Sequence, residues 1–590
     1  MKRLILVLLA LATSAGATGM DTYYEKSGYK ETPRYAETVE FCEQLAEASS
    51  WLHYTNFGNS PQGRELPLVI ADRDGHFYPQ QKPREGKVVL LVQAGIHSGE
   101  IDGKDAGLML LRDIAVTREY QHLLDHITLL FIPIFNVDGH ERFGPHSRIN
   151  QNGPVEMGWR TTSQNLNLNR DYLKADAPEM RAWIALYNAW QPDFFVDCHV
   201  TDGADYQYVL TYLLDIFGNM SPGLSEWTRD VYLTGVEEAM TKAGVEIFPY
   251  VYLVDWPNPK AGIKSWVSTP RFSNGYTSIR NRPGLLIETH MLKDYRTRVD
   301  ATYEMLKQTM VLLNKEYASL TDVVKEADRF TAGREFRDTA LFPLQFEHSE
   351  RAVPIEFKGV DFQVRESDLT GGMWYRFNGK PVTFKTPYYN MQIPTAEADL
   401  PEAYIIPPQW QSVIERLELH GIELIRLDKA HTLSVDTYRF HNVSWQSSPF
   451  EGRHPLSFEL EEISVEKTYP AGSALVNMNQ RGARVIAHIL EPNGPDSYVY
   501  WGFFDAIFEQ KEYAESYVME EMAREMLAAD EELKKTFEKK KEQDQEFAQN
   551  PRAILNWFFQ QTPYWDDRKN VYPIGKIFRR DAMKSLMNSD

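Results

Sequence analysis

The stretch Leu90 to Gly107, which reads LLVQAGIHSGEIDGKDAG, constrains this chain more than any other part of it. The apolar, β-branched run Val88 to Val92 predicts a buried strand, a Gly-flanked loop follows, and a helix begins near Gly103. The loop carries His97 and Glu100, whose side chains can both lie within about 2.2 Å of one Zn²⁺ ion. A catalytic zinc site needs a third protein ligand, which has to come from elsewhere in the chain. One H-x-x-E pair arises by chance about once in a chain this rich in His, so the pair alone does not establish a metal site.

Strands and helices alternate around this stretch. A strand at 127–134, a helix at 178–190 and a strand at 193–198 follow, and the last of these ends at His199. The segment 136–139 has the composition of a turn. This order predicts an α/β fold with a mixed, mainly parallel sheet flanked by helices. Active-site loops of such folds lie at the carboxyl ends of the strands, where His97, Glu100 and His199 are all expected.

The first 17 residues have the layout of a secretory signal peptide. Lys2 and Arg3 precede a short apolar run, and Ala15-Gly16-Ala17 is an A-x-A cleavage site. No later stretch reaches about 18 uninterrupted apolar residues, so we expect a secreted or periplasmic protein without stable membrane insertion. An uncleaved N-terminal anchor is the alternative.

The charge argues against a nucleic-acid-binding protein, and the cysteine content argues against a disulfide-rich scaffold. The formal net charge is -20, whereas a nucleic-acid-binding protein needs a basic surface. Cys42 and Cys198 are the two cysteines of the sequence, too few for a disulfide scaffold. Cys198 lies in an apolar strand, where a buried free thiol is favoured.

Six short motifs occur in a fixed order along the first half of the chain. They are H-S-G-E at 97–100, N-V-D-G at 136–139, W-R at 159–160, N-R at 169–170, D-C-H at 197–199 and L-L-I-E at 285–288. In order and spacing they resemble the M14 family of zinc carboxypeptidases, the metallopeptidases of the carboxypeptidase A type. The resemblance covers about residues 35–320 and implies a zinc carboxypeptidase-like fold there.

The resemblance implies that His97, Glu100 and His199 bind one Zn²⁺ per chain. A His₂Glu set leaves a coordination position for water and substrate. Glu288 corresponds to the general base, which takes a proton from the attacking water and returns it to the leaving amine. Arg160 corresponds to the arginine that stabilises the oxyanion.

The same resemblance implies how a substrate is held. Asn169 and Arg170 match the pair that binds the terminal carboxylate of a peptide, which a guanidinium can do through two hydrogen bonds. Tyr276 is the candidate for the tyrosine that closes over the substrate, although only 12 residues separate it from Glu288 and Tyr295 is also nearby. Taken singly, each arginine also fits a surface ion pair.

Two positions depart from the family pattern. Asn167 stands where the family has an Asp that accepts a hydrogen bond from the first zinc histidine. An amide oxygen still accepts that bond but adds no charge, so metal affinity can differ. Gly99 replaces an arginine often found between the first two ligands, which leaves open the substrate contacts beyond the terminal residue.

A chain of 590 residues predicts at least two domains. We assign residues 18–325 to a zinc carboxypeptidase-like catalytic domain and residues 326–590 to a C-terminal α+β region. In that region we expect strands at 340–394 and 458–490 and charged, solvated helices at 503–547, which we favour over a coiled coil. No motif there indicates a role.

We therefore predict an exported zinc metallocarboxypeptidase that hydrolyses the C-terminal peptide bond of peptides through a zinc-activated water. Its partner is a peptide with a free C-terminal carboxylate. One alternative is a zinc amidohydrolase acting on N-acyl amino acids or peptidoglycan stem peptides. Another is a non-catalytic peptide-binding protein on the same fold, against which the intact ligand set and Glu288 argue. The sequence specifies neither the side-chain preference nor the oligomeric state.

Overall fold

The computed structural model describes residues 20–81, 86–338 and 341–587, so the predicted signal peptide at 1–17 lies outside the described residues. The described chain divides into two compact units. The first consists of the residues up to Glu402, of Gln411–Ile425 and of Val476–Ser497, and the second consists of Ala403–Trp410, of Arg426–Leu475 and of the residues from Tyr498 onward.

The strands of the first unit form three sheets. In its described residues the strands are β1 (Leu52–Asn59), β2 (Glu65–Ala71), β3 (Val88–Ala94), β4 (Ile127–Ile132), β5 (Phe194–Thr201), β6 (Leu210–Leu213), β7 (Ile247–Pro249), β8 (Tyr252–Asp255), β9 (Asn258–Lys264), β10 (Gly284–His290), β11 (Phe342–His348), β12 (Val353–Glu366), β13 (Met373–Tyr389) and β14 (Gln392–Ala398). The largest sheet has the order β1-β2-β4-β3-β5-β10-β6-β7, and the others are β12-β13-β9-β8 and β11-β14. In the largest sheet β4–β3, β3–β5, β5–β10 and β6–β7 are parallel pairs, which confirms the mixed, mainly parallel sheet.

Helices cover this sheet. Those described in the first unit are α1 (Tyr23–Lys26), α2 (Tyr35–Ala48), α3 (Asp102–Ala115), α4 (Val137–Glu141), α5 (Pro178–Trp190), α6 (Pro222–Trp227), α7 (Thr234–Lys242), α8 (Ser273–Ile279), α9 (Tyr295–Lys315), α10 (Tyr317–Ala332), α11 (Glu335–Asp338), α12 (Gln411–Leu419) and α13 (Ala483–Leu490). The helices predicted to begin near Gly103 and to span 178–190 correspond to α3 and α5. The boundary predicted after residue 325 falls inside α10, and the first unit continues beyond it.

The central strands are buried on both faces. Every residue of β3, β4, β5 and β10 is buried, which is why these strands read as continuous apolar runs rather than as alternating ones. Close approach of α3 to β5 requires glycine at position 103, because a Cβ there would lie 2.3 Å from Cβ of Cys198. Cys198 and Cys42 are both buried free thiols.

Two segments differ from the sequence-based expectation. The turn expected at 136–139 is the start of α4, and Asn136 caps this helix by accepting a hydrogen bond from the Gly139 amide at 3.0 Å. Asn is favoured both in turns and at helix N-termini, because its side chain accepts a hydrogen bond from a nearby backbone amide in either structure. Composition therefore did not distinguish a turn from the start of a helix. The strand-rich segment predicted at 458–490 ends in α13, whose eight residues are all buried. A short, fully buried run has no periodicity that separates a strand from a helix.

The second unit is built around a further sheet and a helical cluster. Its elements are β15 (Ala403–Ile406), β16 (Ile425–Arg426), β17 (His431–Trp445), β18 (Leu456–Tyr469), β19 (Ala474–Asn477), β20 (Gly575–Ile577), α14 (Ser516–Ala529), α15 (Glu531–Gln543), α16 (Gln545–Ala548), α17 (Pro551–Phe559) and α18 (Arg580–Met587), with β16 and β19 each partly in the first unit. The sheet order is β16-β19-β15-β20-β17-β18. Helix α15 has no buried residue, as expected of a charged, solvated helix. In the described ranges no helix combines the length and the apolar character that a membrane span requires.

Candidate active site

Three polar side chains meet at the carboxyl ends of β3 and β5. His97 and Glu100 lie between β3 and α3, and His199 lies near the end of β5. The parallel pairing of β3 with β5 places these ends side by side. Each of the three residues is only 3% exposed. One donor atom from each lies within 4.8 Å of the others, so the structure brings together the three predicted metal ligands.

The donor atoms have the spacing of a zinc site. His97 Nδ1 lies 3.2 Å from Oε1 of Glu100, and His199 Nδ1 lies 3.0 Å from Oε2. Ligands of a tetrahedral zinc ion are separated by about 3.3 to 3.6 Å, given bonds of about 2.0 to 2.2 Å, so the contacts seen here are slightly shorter. Apart from this contact with Glu100, the buried His97 Nδ1 has no polar partner within the described part of the chain, as expected of a nitrogen that binds a metal. The residues present therefore fit Zn²⁺.

Asn167 orients the first histidine. Its Oδ1 lies 3.0 Å from His97 Nε2 and also accepts a hydrogen bond from the Asn169 amide at 3.0 Å. A proton on Nε2 leaves the lone pair of Nδ1 directed at the cluster. The amide thus accepts the same hydrogen bond for which the family uses a carboxylate.

Asp197 contacts the second histidine from behind. Its Oδ2 lies 2.8 Å from His199 Nε2, and the residue is fully buried. Burial opposes the charging of His199, but the neighbouring Asp197 raises the pKa of the imidazole well above its usual range. A carboxylate behind a metal-binding histidine fixes the ring and raises its basicity. This role of Asp197 was not predicted, although residues two apart in a strand share a face and the D-C-H motif places Asp197 two residues before His199.

Two arginines reach Glu100. Nη1 of Arg148 lies 2.7 Å and Nη1 of Arg160 lies 3.2 Å from Oε1 of Glu100. Arg160 was predicted and Arg148 was not. Arg148 packs over Gly99, where a Cβ would lie 2.3 Å from the Arg148 Cδ. The glycine that replaces the family's arginine therefore makes room for an arginine from another loop, and no motif signals that exchange.

Glu288 lies beside the metal-ligand cluster. Strand β10 pairs with β5 so that Glu288 is opposite His199, and the residue is 9% exposed. Burial raises the pKa of Glu288 to about 8; the charge of His199 opposes this rise, and that of Glu100 adds to it. For Glu100 burial also opposes ionisation, but the charges of His97 and Arg148 hold its pKa well below its usual range. Two carboxylates with separated pKa values suit different roles, one as a ligand and the other as a proton carrier.

Asn169 and Arg170 lie together in the 3₁₀ turn Leu168–Arg170. Oδ1 of Asn169 accepts a hydrogen bond from the Ser273 amide at 3.1 Å. The Arg170 guanidinium stacks 4.3 Å from the centre of the Phe272 ring. These contacts fix the side chains of the predicted carboxylate-binding pair, and Asn167 connects the turn to the metal ligands.

The structure does not bring Tyr276 to the site. Tyr276 is fully buried in α8, and its hydroxyl donates to Nδ1 of His420 at 2.8 Å. Its ring packs against Trp183 and Tyr187, so it is not free to close over a substrate. Tyr295 is also buried, and its hydroxyl donates to Asp105. Distance along the chain from Glu288 did not indicate the direction in which these side chains point.

Tyr250 lies next to the cluster instead. Its hydroxyl accepts a hydrogen bond from Thr201 Oγ1 at 3.4 Å, two residues beyond His199. Burial and then the charge of Glu288 raise the pKa of Tyr250. Tyr250 directly follows β7 in a segment without a recognisable motif, so its position near the site was not predicted from the sequence.

We expect Tyr276→Phe to destabilise the protein without changing catalysis. The variant leaves the buried Nδ1 of His420 without its donor, which costs about 1 to 3 kcal/mol of unfolding free energy. Urea unfolding and steady-state peptide hydrolysis measure the two effects, and Tyr250→Phe is the matched variant at the site. A Tyr276→Phe protein of normal stability and impaired kcat would contradict this placement.

Comparisons with known proteins agree with the site. The zinc carboxypeptidase family, M14, matches residues 38–213. Carboxypeptidase 2 of Trichophyton rubrum is 23% identical over 487 residues, which cover 80% of this chain and 84% of that protein. Carboxypeptidase 2 of Trichophyton tonsurans is 22% identical over 488 residues, with the same coverage of 80% and 84%.

Solved structures with similarity to this chain include two bacterial proteins. A putative carboxypeptidase A from Shewanella denitrificans OS-217 aligns with a TM-score of 0.37 and 16% identity over 48% of this chain and 69% of that one. A metallo-carboxypeptidase from Pseudomonas aeruginosa aligns with a TM-score of 0.36 and 16% identity over the same shares, 48% and 69%.

The family match and the curated carboxypeptidase relatives indicate a metallopeptidase, a hydrolase that uses a metal ion. More narrowly, residues 38–213 match the M14 family of zinc carboxypeptidases, and this segment contains the three metal-ligand candidates. Glu288 lies beyond the matched segment, and its assignment depends on the pairing of β10 with β5.

Proposed function

We propose that this protein is an exported carboxypeptidase that removes C-terminal residues from peptides, with one Zn²⁺ per chain held by His97, Glu100 and His199. The observation that supports this most is the buried cluster of the three ligands, in which His97 Nδ1 has no other partner among the described residues. Bound zinc supplies Lewis acidity, which makes water a stronger nucleophile near neutral pH. The layout of residues 1–17 supports secretion or a periplasmic location.

The neighbouring residues transfer the proton, stabilise the developing negative charge and bind the substrate carboxylate. Glu288, in its ionised form, takes the proton of the attacking water and gives it to the leaving amine. Arg160 has a side chain that is 43% exposed and a guanidinium that reaches Glu100. From there its fixed charge stabilises the negative charge that develops on the substrate carbonyl oxygen. Arg170, held by Phe272 and positioned beside Asn169, binds the free carboxylate of the peptide.

The substrate's free carboxylate provides the test. We expect a peptide with a free C-terminus to be hydrolysed with a kcat/KM about 100-fold above that of its C-terminal amide. Hydrogen bonds to charged groups contribute about 1.5 to 3 kcal/mol, and 1.4 kcal/mol corresponds to tenfold. Arg170→Met should lower kcat/KM for the peptide with a free C-terminus to the value measured for its C-terminal amide. Arg329→Met, at a position whose side chain is 76% exposed on α10, is the control.

Assays with further substrates distinguish the carboxypeptidase from the two alternatives, an amidohydrolase and a non-catalytic binding protein. Equal hydrolysis of the acid and the amide would contradict carboxylate recognition by Arg170. Faster hydrolysis of N-acyl amino acids or peptidoglycan stem peptides than of peptides would favour an amidohydrolase. Peptide binding without turnover by the zinc-loaded protein would favour a binding protein.

A further inference from the structure

A second pocket in the first unit is lined by none of the residues assigned above. Its volume is about 390 Å³. Its walls come mainly from α6, from the ends of α10 and α11, from the start of β11 and from α13. The apolar part of the lining includes Met220, Phe330, Phe336 and Phe342. A pocket with this lining suits the apolar body of a small molecule.

Arg484 of α13 places an unpaired positive charge in this apolar wall. The residue is only 4% exposed. Nη1 donates to the Asn219 carbonyl at 3.3 Å, and Nε has no hydrogen-bond partner in the described ranges. Burial lowers the pKa of Arg484 to about 10, so the guanidinium stays charged at neutral pH. No acidic side chain within the described residues forms an ion pair with it, whereas buried charges in proteins are normally paired.

The aromatic neighbours compensate this charge only in part. The guanidinium carbon lies 4.9 Å from the ring centre of Phe336 and 5.7 Å from that of Phe342. Such contacts are weaker than a charge-assisted hydrogen bond to a carboxylate. The geometry therefore leaves Arg484 with donor capacity for an anion.

Two further polar groups nearby also lack partners. Ser225 lines the pocket, is 8% exposed and has an unpaired Oγ in the described structure. His488 lies one turn beyond Arg484 on α13, with its ring 5.5 Å from that of Phe342. Neither of its buried ring nitrogens has a hydrogen-bond partner within the described ranges. Unsatisfied buried groups are rare in native proteins and point to an absent partner when several lie together.

We propose that this pocket binds a small organic monocarboxylate with an apolar body. The carboxylate pairs with Arg484 and accepts a hydrogen bond from Ser225, while the body packs against Phe336, Phe342 and Met220. Glu226 and Arg229 also line the pocket, but both are exposed and of opposite sign, so the buried guanidinium determines which charge is bound.

Calorimetric titration of the full-length, zinc-loaded protein with phenylacetate tests the proposal. Because Arg170 of the catalytic site also recognises carboxylates, the titration is repeated with Arg170→Met, in which we expect the second pocket still to bind phenylacetate. Arg484→Met in that background should weaken the remaining binding at least about 100-fold. Arg229→Met is the matched control. It should change the affinity for phenylacetate by less than about threefold, since the charge of Arg229 is exposed and paired with Asp230. The neutral analogue 2-phenylethanol should not bind.

Thermal unfolding distinguishes a ligand-binding arginine from a structural one. In the absence of phenylacetate we expect Arg484→Met to raise Tm, because it removes an unpaired buried charge and keeps the apolar stem. Phenylacetate should raise the Tm of Arg170→Met and not that of the double variant. Absence of binding in Arg170→Met, or binding that Arg484→Met leaves unchanged, would overturn the proposal.

Discussion

Glu288→Gln should lower kcat for peptide hydrolysis by about 10³- to 10⁴-fold while the protein keeps its zinc. The amide has nearly the shape of the carboxylate but cannot accept the proton of the attacking water. Burial already favours the neutral form of Glu288, since it raises the pKa to about 8. A neutral side chain is therefore tolerated there, and we expect the variant to unfold at the wild-type Tm or above it.

Three measurements on one preparation make this result specific: kcat, zinc content and Tm. Glu238→Gln, at a position whose side chain is 66% exposed on α7, is the control for loss of a carboxylate. The wild-type kcat/KM should also fall as the pH is lowered through the pKa of Glu288, because the base must be ionised. Near-normal turnover in Glu288→Gln would exclude the residue as the base, and loss of zinc would make it a metal-site residue instead.

The sequence predicted the central sheet and the positions of the candidate metal ligands because both depend on local patterns. Strands β3, β4, β5 and β10 are buried on both faces, so each is a short apolar run bounded by turn residues. Parallel strands place their carboxyl ends at one edge. His97, Glu100, His199 and Glu288 follow or terminate such runs, and their approximate positions follow from the strand order.

Side chains whose position depends on distant contacts could not be predicted in this way. Arg148 reaches Glu100 because Gly99 leaves space, and that space exists only once the two loops pack together. Tyr276 points into the core because α8 presents that face to His420, which is 144 residues further along the chain. Spacing within a motif gives a distance along the chain but not the direction of a side chain.

The division into units escaped prediction for a similar reason. The chain leaves the first unit after Glu402 and returns for α12 and α13. Both helices lie within a region whose composition resembles that of its surroundings, so no linker marks the return. Contacts such as that of Arg416 in α12 with Asp176, at 3.1 Å, define the membership of these helices.

His199→Ala should abolish stoichiometric zinc binding. We expect about one zinc per chain in the wild type after dialysis, and less than about a tenth of that in the variant, because a catalytic zinc site needs three protein ligands. Asp197→Asn should give an intermediate result, with metal affinity about 10- to 100-fold lower, since Asp197 contacts the ligand and not the metal.

A second group of potential ligands in the described chain supplies the control. Asp72, Asp74 and His76 also have donor atoms within 4.8 Å of one another. Nζ of Lys87, however, lies 3.1 Å from Asp72 and 2.6 Å from Asp74, so this ammonium forms ion pairs with both carboxylates and reduces their combined charge to −1. We therefore expect His76→Ala to keep its zinc. If His76→Ala lost its zinc and His199→Ala retained it, the metal would bind to this second group. The roles of Glu288 and Arg160 would then have no physical basis.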